Sequence, residues 1–235
     1  MENLKLGFVP IGKFVFSHID AMKYKKQIEE KLKRWNINYV SMDKILPDGI
    51  VRDQKHVEVV IEFLNKEKVD GVFIPHCNFG TEGAAGMIAK KSGVPVLLWG
   101  PRDEEPLEDG TRLRDTLCGL FATSKVLHKL NVPFTYIENC RIEDIAFKEG
   151  VEKFMSVISV VKEFKNMRLG QIGSRIDFFW TTIINESELL EKFGIEILPI
   201  DIVDFIKQVK ENSEKNKRKY IEEFKKTKEK INFSG

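Results

Sequence analysis

The 235-residue chain lacks most of the features that would fix its chemistry at once. It has three cysteines, Cys77, Cys118 and Cys140, an odd number without the CxxC spacing of structural zinc sites or redox pairs, and they are expected to be reduced thiols. No apolar stretch approaches the length of a bilayer span, and the opening MENLKLGFVPIG has neither the basic start nor the long apolar run of a secretory signal. A cytoplasmic protein is expected. With 38 basic and 36 acidic residues the formal charge is +2, so no field that would gather nucleic acid or a membrane surface is implied. Neither a GxGxxG fingerprint nor a P-loop occurs, which leaves dinucleotide and nucleotide-triphosphate readings without support. His18 and Asp20 are two ligands at one helix start and do not make a metal site, and no other cluster with metal-ligand spacing is present.

What is present is an alternation of short apolar runs with longer amphipathic ones, the pattern of βα units around a mostly parallel sheet. Strands are expected at 4–10, 38–42, 71–75, 94–100 and 134–138, all rich in β-branched and aromatic residues and ending in turn formers. Helices are expected at 18–35, 53–67, 81–91, 114–130 and 142–165; in the second, Val57, Val60, Ile61 and Leu64 share one face while Glu58, Glu62 and Lys66 stay out. Residues 1–166 then make a three-layer α/β domain of the flavodoxin or Rossmann kind. From 167 to 235 the pattern predicts the start of a second, incomplete α/β domain: strands at 168–176 and 195–202, a helix at 185–194 between Asn185 and Gly194, and a Lys- and Glu-rich segment at 207–230 with the character of a charged helix. Two strands are fewer than a sheet core needs.

In such a sheet ligands bind beyond the carboxyl ends of the strands, which selects the loops after residues 10, 75, 99 and 138. The second of these, PHCNFGTEGAAG, carries Gly80, Gly83 and Gly86, which let a ligand approach the helix start or let the helix lie close to the sheet; packing is the more ordinary role. His76 and Cys77 adjoin a strand end, but chain neighbours rarely face each other and no third group orients them. The third loop, WGPRDEEPLEDGTRLRD, sets Trp99 beside Arg102 and Asp103. An aromatic face next to hydrogen-bonding groups suits a sugar ring, whereas Arg112, Arg114 and Asp115 are explained as surface pairs and the acids as charge near a helix start.

The stretches LLWGPRDE, DGTRLRDTLCGLFATSKVLHKLNVPF, LGQIGSRI and LLEKFGIEILPIDI resemble the N-terminal and central domains of the L-fucose isomerase and L-arabinose isomerase family. The resemblance implies an aldose–ketose isomerase in which a divalent metal, usually manganese, holds two sugar oxygens while carboxylates move a proton between C1 and C2. It also implies a homo-oligomer, a trimer or hexamer, in which the N-terminal domain closes a neighbouring subunit's site. The family's metal ligands and proton-transfer groups lie beyond the part resembled, so neither catalytic nor metal residues are expected in this chain and a monosaccharide is expected to meet it only through closing loops. By the resemblance Lys13 matches a basic residue of the first loop, while Cys77 and Asn78 stand where a tryptophan of the third-strand loop is expected, with Phe79 next to them. Lys13, Asn78, Phe79, Trp99 and Arg102 are the candidate sugar contacts. The rival readings are a stand-alone sugar-binding or interaction module without catalysis, and a flavin protein, which would be yellow.

Overall fold

Five apolar runs become one parallel sheet. In a computed structural model that describes residues 4–165 and 167–230, β1 (Leu6–Phe8), β2 (Tyr39–Ser41), β3 (Gly71–Pro75), β4 (Val96–Trp99) and β5 (Thr135–Tyr136) pair in the order β2-β1-β3-β4-β5. Every residue of β3 and β4 is buried, which is why these strands read as unbroken apolar runs: a parallel strand with helices on both faces has no polar side. The register sets Phe8 beside Phe73, Phe73 beside Leu97 and Pro75 beside Trp99. β1 is shorter than the run 4–10 because Pro10 has no amide to give. The chain nevertheless continues along β3, with the amides of Val9 and Ile11 donating to the carbonyls of Phe73 and Pro75.

The helices α1 (His18–Arg34), α2 (Val57–Glu67), α3 (Glu82–Ser92), α4 (Thr116–Lys129) and α5 (Ile145–Phe164) cover the two faces. On one face Val60 and Leu64 of α2, Ile88 of α3 and Leu120 and Leu127 of α4 meet Val72, Ile74 and Leu98. On the other, Ile28 and Leu32 of α1 and Phe147, Phe154 and Ile158 of α5 meet Phe8, Phe73, Leu97 and Trp99. Each such side chain contributes about 1.5–3 kcal/mol by leaving water. Local signals set the helix ends: Ser17 accepts from the Asp20 amide at the start of α1, and Gly93 closes α3 in the left-handed region. Gly86 lies where a Cβ would stand 2.5 Å from Val126, so the small residue serves the close packing of α3 on α4.

The chain divides between Lys162 and Glu163 into two units. In the second, β6 (Arg168–Ile172) and β7 (Glu196–Ile200) form a two-stranded parallel sheet joined through a short 3-10 turn at Trp180–Thr182 and α6 (Glu186–Phe193). Asn185 caps α6 by accepting from the Glu188 amide, and Gly194 ends it. The charged segment is a single helix, α7 (Ile202–Lys230), which begins five residues earlier than its charge pattern suggests. Ile195 is the one buried residue among those described in this unit.

Candidate functional site

The strand order reverses between β1 and β3, and the loops that follow these strands meet over the carboxyl edge of the sheet. Asn78 joins them. Its side chain is wholly buried: Oδ1 accepts from the amides of Lys13 (2.8 Å) and Gly80 (3.2 Å), and Nδ2 donates to the carbonyls of Lys13 (3.1 Å) and Ser17 (3.4 Å). The Thr81 hydroxyl lies 2.9 Å from the carbonyls of both Gly12 and Arg52, tying in the loop after β2. Gly80 sits at φ +81, a conformation that a side chain resists, and its missing Cβ leaves room for Ile11 and His76.

This clasp sets the side chains around it. The exposed Lys13 ammonium stands 5.0 Å from the centre of the half-buried Phe79 ring, which stacks on Phe16 at 5.4 Å and 5°. Lys13 has no carboxylate partner among the described residues. Behind the cluster, Arg52 is buried and donates through Nε (3.0 Å) and Nη2 (2.7 Å) to Asp48, with His18 Nδ1 2.9 Å from Nη2. Burial pushes the Asp48 carboxyl up, but hydrogen bonds from Arg52 and the Ile50 amide outweigh it, so the group is held below the ordinary carboxylate range. Arg52 is thus compensated as it supports the loop.

His76 and Cys77 form no nucleophile and base. His76 is fully buried and its Nδ1–H donates to the Phe79 carbonyl at 2.8 Å; burial pulls its pKa down to about 4. Burial likewise pushes the Cys77 thiol up to about 12, so no thiolate forms at neutral pH. Among the described residues, no group of three or more His, Cys, Asp or Glu side chains is placed to hold a metal ion.

Two of the residues read as sugar contacts need correction. Trp99 offers no face to a ligand: it is 0% exposed and stacks on Phe147 at 3.9 Å and 16°. The reason is alternation on a central strand, which turns Leu97 and Trp99 into the layer with α1 and α5. Asn78 holds the loop from inside, its amide group engaged with backbone, and does not present it to solvent. Lys13 and Phe79 are brought together. Arg102 is exposed and belongs elsewhere, to an open groove of about 830 Å³ that it shares with Glu105, Arg112, Phe121 and Asn139.

The charged loop beneath that groove has an inner organiser which the sequence pattern concealed. Arg114, expected as a surface pair, is buried: Nε donates to Glu104 at 2.9 Å, Nη2 donates to the Arg102 carbonyl at 2.7 Å, and the guanidinium lies 3.8 Å from the centre of the Tyr24 ring. Tyr24 donates to the other Glu104 oxygen at 2.7 Å. Burial raises the Glu104 carboxyl, but these two hydrogen bonds bring it below its usual range. Asp103 accepts from the amides of Thr116 (3.0 Å) and Leu117 (3.3 Å) and caps α4 from thirteen residues away in the chain. Asp115, also expected in a surface pair, adopts φ +51 at the helix start. The only sequence sign of this arrangement is the excess of acids over 103–109 with an arginine on either side of Leu113.

The fucose/sulfoquinovose isomerase N-terminal domain model matches residues 7–165. The sulfoquinovose isomerase of Priestia aryabhattai is 26% identical over 208 residues, covering 88% of this chain and 45% of that protein. The sulfoquinovose isomerase of Alkalicoccus urumqiensis is 22% identical over 213 residues, with the same coverage of 88% and 45%. The chain therefore spans about half the length of these relatives. A D-allose-bound periplasmic solute-binding protein of an ABC transporter from Actinobacillus succinogenes is similar at 14% identity and a TM-score of 0.29, covering 85% of this chain and 59% of that one.

Proposed function

Because the chain belongs to the fucose/sulfoquinovose isomerase N-terminal domain family, we propose that it is the substrate-closing half of an aldose–ketose isomerase. It meets a monosaccharide at the edge formed by Lys13 and Phe79. The observation that carries this reading is the Asn78 clasp, which spends a buried amide to hold an unpaired ammonium over an aromatic ring at the ligand edge of the sheet. Phe79 suits the carbon face of a sugar, and Lys13 suits an oxygen-rich or anionic substituent. The relatives are sulfoquinovose isomerases, and sulfoquinovose carries a sulfonate, so an anionic aldose is the substrate class put forward.

In this reading the chain binds and orients one end of the sugar and excludes water from it. Manganese, as expected for the full-length enzyme, would be held by residues outside this chain and would supply a Lewis acid there. The described residues of this chain do not fit as its ligands. The proton-transfer carboxylates likewise belong to the part of the isomerase outside this chain. The exposed Phe14, Val15 and Ile19 beside Lys13 are put forward as the oligomer surface that brings this edge to another subunit's site.

Titration calorimetry with sulfoquinovose, D-glucose, L-fucose and L-arabinose tests the reading. Sulfoquinovose is expected to bind weakly and Lys13→Ala to lower its affinity at least about tenfold, an effect of about 1.4 kcal/mol, without moving Tm. With manganese the chain alone is expected to yield no ketose. Aldose turnover, or tight binding that ignores Lys13, would overturn it; the latter is what a stand-alone sugar receptor would show.

A further inference from the structure

The second unit leaves its apolar side chains uncovered. Phe178, Trp180, Ile183, Leu190 and Val203 are among them, at 47–77% exposure with Phe179. Parallel sheets are stable when both faces are covered, and two strands alone have neither cover nor neighbours. The backbone shows where a neighbour can join. The Glu196 amide donates to the Met167 carbonyl and the Gly173 amide to the Ile200 carbonyl, so alternate β7 residues from Glu196 to Ile200 turn their backbone groups toward β6. Pro199 therefore faces the outer edge of β7, where it cannot donate, and Ile197 is left as the one outward donor within that strand. The outer edge of β6 has no such block. Arg168, Gly170 and Ile172 turn their amides outward there, and none of the three has a partner among the described residues.

The first unit contains the same construction carried further. After β1, α1 and edge strand β2, the chain crosses through α2 and adds β3 to the free side of β1. The second unit repeats it as β6, α6, β7 and α7, and the first turns of α7 carry Ile202, Phe205, Ile206 and Val209 at the spacing of a helix meant to lie on a sheet. We infer that the outer edge of β6 is a docking edge for a parallel, apolar β-strand with its following helix, supplied by polypeptide equivalent to the portion of the relatives that this chain does not span. That portion is more than half of their length, ample for further strands and helices. Sugar binding at Lys13 does not enter this docking, so either can fail alone.

The test mixes the full chain with the unmatched portion of the Priestia aryabhattai sulfoquinovose isomerase, made as a separate polypeptide, and in a second arm with that of the Alkalicoccus urumqiensis protein. Light scattering after size exclusion is expected to show a one-to-one complex, and hydrogen exchange to slow at least tenfold at the amides of Arg168, Gly170 and Ile172. Ile172→Pro removes an outward amide and is expected to weaken the complex at least tenfold; Arg168→Pro is a second variant with the same aim, and Ile197→Pro on the other edge is expected to leave it unchanged. Continued protection of the Gly173 and Glu196 amides shows that the β6–β7 ladder survives each substitution. No complex in either arm, protection at Ile197 in place of β6, or a homodimer of this chain formed through β6 would overturn the assignment.

Discussion

The two units are written in the same local code and differ in what it accomplishes. Both alternate apolar strands with amphipathic helices, both use a side-chain cap and a left-handed glycine to bound a helix, and both pair their strands in parallel. In the first unit five strands give two covered faces, and Phe8, Phe73, Trp99, Phe147 and Phe154 are wholly buried. In the second, two strands leave Trp180 at 77% exposure. Burial belongs to the assembled sheet and is not a property of a strand or its composition.

Substitutions sharpen that contrast. Trp99→Ala is expected to cost about 3–5 kcal/mol, read as a fall in the denaturant midpoint, since it empties the stack on Phe147. Arg114→Ala is expected to cost about 3 kcal/mol, because it empties the buried space over the Tyr24 ring and leaves the Arg102 carbonyl without its donor, and to loosen the 102–115 loop in hydrogen exchange. Acid acts on His76. Its folded pKa of about 4 lies below the ordinary value of 6.5, so the unfolded chain takes up the proton first as pH falls. Stability is full above about pH 6.5 and declines toward pH 4 by up to about 3 kcal/mol, and His76→Asn should flatten that slope. Asp103→Ala is expected to cost about 1 kcal/mol by uncapping α4. Trp180→Ala should change the stability of the isolated chain by less than about 0.5 kcal/mol. A large loss there would erase the contrast between the units.

Much of the fold was legible because buried parallel strands and amphipathic helices leave strong periodic marks: the segments 71–75 and 18–35 fall within a residue of β3 and α1. The ends of β1 and β5 were less legible, since a proline or a sheet edge shortens pairing without changing the apolar run. At the site, the loops that follow the strands offered Lys13 and Phe79, the resemblance singled them out as candidate sugar contacts, and the structure sets the two side chains together. Trp99 misled because an aromatic residue at a strand end is equally suited to the core, and only the phase of the pleat decides. Arg114 and Asp103 could not be paired with their partners from sequence, since the spacing between loop and helix start is set by a chain path that has no period.

The most direct measurement of the central claim is an amide-resolved NMR titration of the chain with sulfoquinovose. Recognition at the Asn78 clasp predicts shifts gathered at Gly12, Lys13, Phe79 and Gly80, and their loss in Lys13→Ala. Shifts gathered instead around Arg102, Arg112 and Phe121, or no shifts at millimolar sugar, would contradict it.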